Sequence, residues 1–253
     1  MSAAAISALL VVRDEAANIE RAVRGVRELV AEVVVVDTGS TDATAVLAKA
    51  EGARVLHSPW LGYGPTKNWG AGQCHHDWVL SLDADEVPDA KLSRVLEKFE
   101  VASGMIYGVR RVTNYCGHWV RYGAWRRDTV WRLYDRREAQ WDERVVHERL
   151  VGQDGTRRQQ LPGTLLHYSY PTRQAYLDKR ERYLRLSVEA LAAEGRTATW
   201  TKRHLSPLWR GVRTYLLMGG WRDGRAGWEI AQQDVAMVRE KYRRLAATNA
   251  PAA

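Results

Sequence analysis

The stretch "WVLSLDADEVPDAKL", residues 78–92, runs an apolar segment into three carboxylates, Asp83, Asp85 and Glu86. Asp83 and Asp85 stand two residues apart, and in extended chain that spacing turns both side chains to the same side. A carboxylate pair of this kind is a hard oxygen site for Mg²⁺ or Mn²⁺, able to leave open positions for phosphate oxygens. The same acids also suit a helix start at Pro88, and Glu86 is expected either to take that role or to support the Asp83–Asp85 pair from behind. A further acid, Asp37, closes the apolar run 33–36 and precedes the turn-prone Thr38-Gly39-Ser40-Thr41. A carboxylate only accepts hydrogen bonds, so Asp37 suits an N–H edge such as the uracil imide. The alternative is a plain turn in which Ser40 or Thr41 caps the next helix. A P-loop is excluded, because no Gly-Lys-Ser/Thr follows. Arg13, Glu15 and Asn18 follow the first apolar run, and Lys67 and Asn68 lie in "GPTKNWGAG". Acids commonly open helices, and a lysine near a helix start meets either a phosphate or water.

Regular elements must position these residues. Residues 6–12 are apolar and β-branched, and Ile19, Val23, Val26 and Val30 follow at the spacing of one helix face. The unbroken valines 33–36 predict a strand buried on both sides. Thr41-Asp42 offers a helix start, residues 54–57 a short strand, 65–73 a helix and 78–82 a fourth strand. This alternation predicts an α/β fold, a mostly parallel sheet flanked by helices. Ligands of such sheets bind beyond the carboxyl ends of the strands, where Glu15, Asp37 and the 83–86 acids all fall. Short strand-like runs continue from 105 to 170, a helix is expected over 172–195, and the chain then becomes basic, with Trp200, Trp209, Trp221 and Trp228.

The 253 residues carry a net charge of +8, which favours anionic partners such as phosphorylated substrates or lipid head groups. Eleven Trp and eleven Tyr against one Phe suit clefts and boundaries that are partly wet. Two cysteines, Cys74 and Cys116, are too few for a disulfide framework, so a reducing, cytoplasmic compartment is expected. The first residues lack a basic stretch before the apolar run and are expected to form a strand rather than a signal peptide. No apolar window is long enough to span a bilayer.

Taken in order, "VVRDEAANI", "VVVVDTGSTDAT", "GPTKNWG" and "LSLDADE" resemble the family 2 glycosyltransferases of GT-A fold, which use nucleotide-diphosphate sugars. Later segments, "NYCGHWVRYGAWRRDTVWRLYDR", "WDERVVHERL" and "LLHYSYPTRQAYLDKRERY", resemble the bacterial lipopolysaccharide inner-core β-1,4-glucosyltransferases. The resemblance implies a GT-A catalytic domain over 1–170, with a nucleotide-sugar half to about residue 100 and an acceptor half after it. A basic helical extension over 171–253 would follow. It assigns Glu15 and Asp37 to the nucleoside, with Arg13 beside them, Lys67 to the base or diphosphate, Asp83 to the ribose or metal, and Asp85 to the metal directly. The expected cofactor is Mn²⁺ or Mg²⁺. The implied reaction is inverting transfer of glucose from UDP-glucose to an inner-core heptose, or of a sugar to another glycolipid or cell-surface polysaccharide.

Inversion needs a base facing the acceptor hydroxyl. By resemblance that base is Glu148; His147 is the alternative, since histidine titrates near neutrality. His167 is either a packed histidine or, by resemblance, a further metal ligand. The basic aromatic stretch 114–137 is the expected acceptor surface, through Trp125, Arg121 and Arg126 with Arg127 and Arg132, because arginine forks match phosphate oxygens. Residues 204–221 mix apolar, Trp and basic residues, the make-up of a helix lying on the anionic cytoplasmic face of an inner membrane or of one packed on the catalytic domain. A nucleotidyltransferase would show a Gly-rich basic signature near the amino terminus, and no nucleic-acid-binding signature accompanies the charge. A catalytically silent nucleotide-sugar binder is the non-transferase alternative.

Overall fold

The computed structural model describes residues 5–126, 128–144 and 148–248. It divides into two compact units, Met1–Arg111 with Asp128–Tyr168, and Val112–Arg127 with Ser169–Ala253. The stretch before residue 128 thus belongs with the C-terminal helices.

The first unit begins with β1 (Ile6–Val12), α1 (Ile19–Val26), β2 (Glu32–Asp37), α2 (Thr44–Ala50), β3 (Arg54–His57), α3 (Tyr63–Gly72) and β4 (Trp78–Leu82). β1 pairs in parallel with β2 on one side and β4 on the other, and β3 lies parallel to β2. Helical crossovers return each strand in the same direction, so the carboxyl ends share one edge. Then come β5 (Glu86–Pro88), α4 (Ala90–Leu96), β6 (Met105–Tyr115), β7 (His118–Val120), β8 (Thr129–Asp135), β9 (Ala139–Trp141), β10 (Leu150–Gly152) and β11 (Arg157–Tyr170). The main sheet runs β3-β2-β1-β4-β8-β6-β11-β5, with β7 beside β6. β8 is antiparallel to both β4 and β6, and β5 to β11, whereas the first four strands run parallel.

Side-chain parity builds two cores. Ile6, Ala8, Leu10 and Val12 of β1 pack with Ile19, Ala22, Val23 and Val26 of α1, while Leu9, Val34 and Val36 pack on the other face. Each fully buried Leu or Ile of this kind contributes roughly 1.5–3 kcal/mol. Helix α1 is shorter than its apolar spacing suggests, because the backbone before it bonds elsewhere: Glu15 N–H donates to Thr44 Oγ1 (2.8 Å) and Ala16 N–H to Asp42 Oδ2 (3.1 Å). Pro88 does not open a helix. It closes β5, an edge strand where its missing N–H costs no ladder bond, and Asp89 caps α4 by accepting from Leu92 N (2.8 Å).

In the second unit α5 (Arg173–Ala193) starts at Thr172, whose hydroxyl accepts from Ala175 N (3.1 Å). Next come α6 (Trp200–Gly211), a wide turn over Val212–Leu217, a 3₁₀ turn over Gly220–Asp223 and α7 (Gly224–Thr248). α7 packs on both α5 and α6. Its buried Asp234 joins the three helices, 3.6 Å from Arg180 Nη1 of α5 and 3.1 Å from Arg210 Nε of α6. Leu205, Leu208, Trp209, Val212 and Leu216 recur at helical spacing, yet all are exposed. No helix among the described residues is long and apolar enough to cross a membrane.

Candidate active site

Helix α3 carries a buried cation to the edge of the sheet. Lys67 Nζ lies 2.7 Å from Glu148 Oε1, 3.7 Å from Asp83 Oδ1 and 4.4 Å from the ring centroid of Trp141. Glu148 sits in the connection from β9 to β10, whose described ends are held by local bonds. Asn68 donates to the Trp141 carbonyl and accepts from its N–H, both at 2.8 Å. Across the loop, Asp142 N–H donates to the Arg149 carbonyl (2.9 Å) and Asp142 Oδ1 accepts from Arg149 N–H (2.8 Å). Gly64 makes this approach possible, since a Cβ there would stand 1.8 Å from the Asp142 carbonyl oxygen. The glycine, lysine and asparagine of "GPTKNWG" therefore serve one purpose, docking α3 against the Glu148 loop.

Asp83 follows β4 and is held from two sides, by Lys67 and by a short pair from Arg132 Nη2 to its Oδ2. Burial alone would push the Asp83 carboxyl up. Attraction to Arg132, then Lys67 and Arg111, outweighs it and holds the carboxyl well below the usual carboxylate range. Arg132 is raised in turn: burial works against its charge, and Asp83 and Glu86 more than compensate. Glu86, fully buried, accepts from Arg132 Nη2 (2.7 Å) and Arg111 Nη1 (3.1 Å), and its other oxygen accepts from Asp83 N–H (3.2 Å). Of the two roles expected of Glu86 the structure gives the supporting one, as the buried counter-charge of two arginines, and not the helix start. One expectation is corrected: Arg132 is not an exposed acceptor contact but the cation beside Asp83.

Asp85 faces a different partner. Its Oδ2 lies 3.1 Å from His167 Nε2, and Tyr168 N–H donates to its carbonyl (2.8 Å). His167 is placed by β11, opposite Glu86 in the β5–β11 ladder. Sequence positions 85 and 167 thus meet at one point.

The loops after β1 and β2 are laced together. Asp37, buried at the end of β2, accepts from Ser40 N–H (2.9 Å) and Ser40 Oγ (2.6 Å) on Oδ1 and faces His57 Nδ1 (3.3 Å) on Oδ2. Asp14, at φ 54°, accepts from Thr41 N–H (2.7 Å) and gives its own N–H to Ser40 Oγ (3.0 Å). Ser40 and Thr41 therefore brace the loops and do not cap α2. Glu15 accepts from Asn18 Nδ2 (2.9 Å), and Arg13 is exposed beside Asp14 (3.8 Å).

Trp125, Arg121 and Arg126 lie in the second unit. Trp125 packs in an aromatic cluster, with ring centroids 5.6 Å from Tyr170, 6.0 Å from Tyr176 and 6.4 Å from Tyr115. The backbone N–H groups of Arg121 and Tyr122 donate to the buried Asp223 (3.2 and 2.8 Å). His147 and Arg127 lie outside the described residues.

Residues 7–161 match glycosyl transferase family 2. The chain belongs to that family. A lipopolysaccharide core biosynthesis glycosyltransferase, LpsC, of Rhizobium meliloti (strain 1021) is 30% identical over 88% of this chain and 84% of its own length. An uncharacterized glycosyltransferase of Rickettsia bellii is 44% identical over 92 residues, 36% of this chain and 31% of its own. The chain thus spans about a third of the length of such rickettsial relatives. Glucosyl-3-phosphoglycerate synthase from Mycobacterium tuberculosis, solved with Mn²⁺, UDP and glucosyl-3-phosphoglycerate, aligns over 44% of each chain at 27% identity and a TM-score of 0.36.

For a family 2 chain a divalent cation is the implied cofactor, and the donor atoms at β4 bear on it. Asp85 Oδ2 and His167 Nε2, 3.1 Å apart, are the carboxylate and imidazole that would hold it. An imidazole with a carboxylate suits Mn²⁺ better than an all-oxygen site would. Among the described residues no group of three or more His, Cys, Asp or Glu side chains is arranged to hold a metal. Asp83, held by two cations of the protein, is not set beside that pair. Arg111 and Trp141 escaped sequence reasoning. The alternation expected of extended chain does not apply to Asp83 and Asp85, because residues 83–86 form a turn closed by Glu86 N–H donating to the Asp83 carbonyl (3.0 Å).

Proposed function

We propose that this chain transfers glucose from UDP-glucose, with inversion, to a heptose of the lipopolysaccharide core. The observation that carries the reading is Lys67, whose Nζ reaches both Glu148 and Asp83, residues 65 positions apart. Lys67 occupies Glu148 Oε1, and Oε2 has no partner among the described residues. Oε2 is the proton acceptor. As the acceptor hydroxyl oxygen bonds to the anomeric carbon, the bond from that carbon to the diphosphate breaks, the proton passes to Glu148, and the nucleoside diphosphate leaves. A divalent cation on Asp85 and His167 would supply Lewis-acid stabilisation of the leaving diphosphate. Asp83 binds the ribose, oriented by Arg132; Asp37, Glu15 and Arg13 border the nucleoside. The kinship to LpsC supports the core acceptor.

The solvent-facing apolar stripe on α6 supports a place on the cytoplasmic face of an inner membrane. Trp209, Leu216 and Trp221 are exposed beside exposed Arg203, Arg213 and Arg222, which complement anionic head groups. Sedimentation with phosphatidylglycerol vesicles is expected, weakening with salt; equal behaviour with neutral vesicles would remove this part.

The transfer reaction is tested by mass spectrometry of a nucleotide-sugar panel with Mn²⁺ and truncated lipopolysaccharide as acceptor. UDP-glucose should give a hexose adduct that Glu148→Gln lowers by about 10³-fold. Another sugar or glycolipid would redirect the specificity. No binding and no turnover of any nucleotide-sugar would sink the reading.

A further inference from the structure

The Glu148 loop borders a cleft of about 540 Å³ contained within the first unit. Its lining includes Asp83 and Glu148 but none of Asp37, Glu15, Asp85 or His167. A base must face the hydroxyl it deprotonates, so a cleft that shares the base, meets the donor side only at Asp83, and lacks Asp37, Glu15, Asp85 and His167, is where the acceptor lies. The walls of this cleft are unlike a neutral sugar site. Four arginines line it against two carboxylates. Arg111 and Arg132 are already matched by Glu86, Asp83 and Asp128, and Glu148 by Lys67. Arg149 and Arg158 are exposed and have no carboxylate partner among the described residues. Arg158 is nonetheless positioned: Nη2 donates to the Leu150 carbonyl (2.7 Å), and its guanidinium lies 5.0 Å from the Trp131 ring centroid. Trp131 is seated by Gly108 of β6, where a Cβ would fall 2.7 Å from the ring, beside a register shift in the β6–β8 ladder. A stacked, braced guanidinium with an unpaired neighbour, next to an aromatic face, fits a sugar ring bearing an anionic group.

We propose that Arg149, Arg158 and Trp131 form an acceptor subsite selecting a sugar that carries a phosphate or carboxylate. This rests on the reading of Glu148 as the base and names the acceptor class for that site. The full chain is titrated by calorimetry and saturation-transfer NMR with glucose, glucose 6-phosphate and glucuronate, and separately with UDP and Mn²⁺. At least one anionic sugar should bind about tenfold or more tightly than glucose, and high salt should erase the difference. Which of the two binds distinguishes phosphate from carboxylate. R149Q/R158Q should reduce the anionic sugar to the level of glucose, and R158K, which keeps the charge but not the fork, should lose part of the preference. Equal binding of the three sugars by the native chain, or none, overturns the proposal whatever the variants do. Loss of UDP affinity in R149Q/R158Q also overturns it, since the arginines would then hold the donor diphosphate. Failure of the native chain to bind any nucleotide is a separate result and counts against the transfer reaction, not against the anion preference.

Discussion

Asp83 and Asp85 are near-identical as sequence and opposite as surroundings. Asp83 lies between Lys67 and Arg132, with Glu86 buried behind as a second anion. Asp85 faces a histidine instead, its Oδ2 3.1 Å from His167 Nε2. The protein's own cations neutralise one side of the turn; the other pairs a carboxylate with an imidazole. The two acids of one D-x-D pattern are thus held by different partners, Asp83 by Lys67 and Arg132, Asp85 by His167.

The sharpest way to break this comparison is Asp85→Asn against Asp83→Asn. Asp85→Asn should lower Mn²⁺-dependent turnover by about 10³-fold, about 4 kcal/mol of transition-state stabilisation, with thermal stability little changed. Equal loss of Mn²⁺ affinity in both variants, read by calorimetry, would show that the two sides are not distinct. Glu86→Ala attacks the Asp83 side instead. It strips a buried counter-charge from Arg111 and Arg132 and should cost about 3 kcal/mol in urea unfolding; under about 1 kcal/mol would mean that Asp83 and Asp128 suffice. His167→Ala should weaken Mn²⁺ binding by about tenfold while saturating Mn²⁺ restores most of the activity. Unchanged affinity would make His167 a packing residue. The smallest effect concerns acid. The Asp83 carboxyl titrates lower in the folded chain than in the unfolded one, so its stabilisation is present above about pH 4 and fades as pH falls further. Wild type should lose urea resistance more steeply than Asp83→Asn below that pH; parallel curves would mean that solvent at the partly exposed carboxylate screens the pairing.

Much of the first unit was legible because its signals are local. Unbroken valines in β2, the apolar spacing of α1 and acids at strand ends each follow from a few adjacent residues. Helix limits were less legible. Glu15 and Ala16 would extend α1 but for Thr44 and Asp42, which approach only once β1 and β2 are paired. Arg132 looked like one more surface arginine in a basic stretch, and only the β4–β8 pairing carries it to Asp83.

The sequence by itself determined the alternating strands and helices, the carboxylates at the strand ends and the residue types of the site, since periodicity and side-chain chemistry are written residue by residue. Tertiary structure alone decided the partners. Lys67 reaches Glu148 because Gly64 and Asn68 dock α3 on the β9–β10 loop, and His167 reaches Asp85 because β11 lies against β5. Charge pairing acts over a few ångströms of space and is indifferent to distance along the chain, so the cation beside each carboxylate emerges only when the sheet has closed.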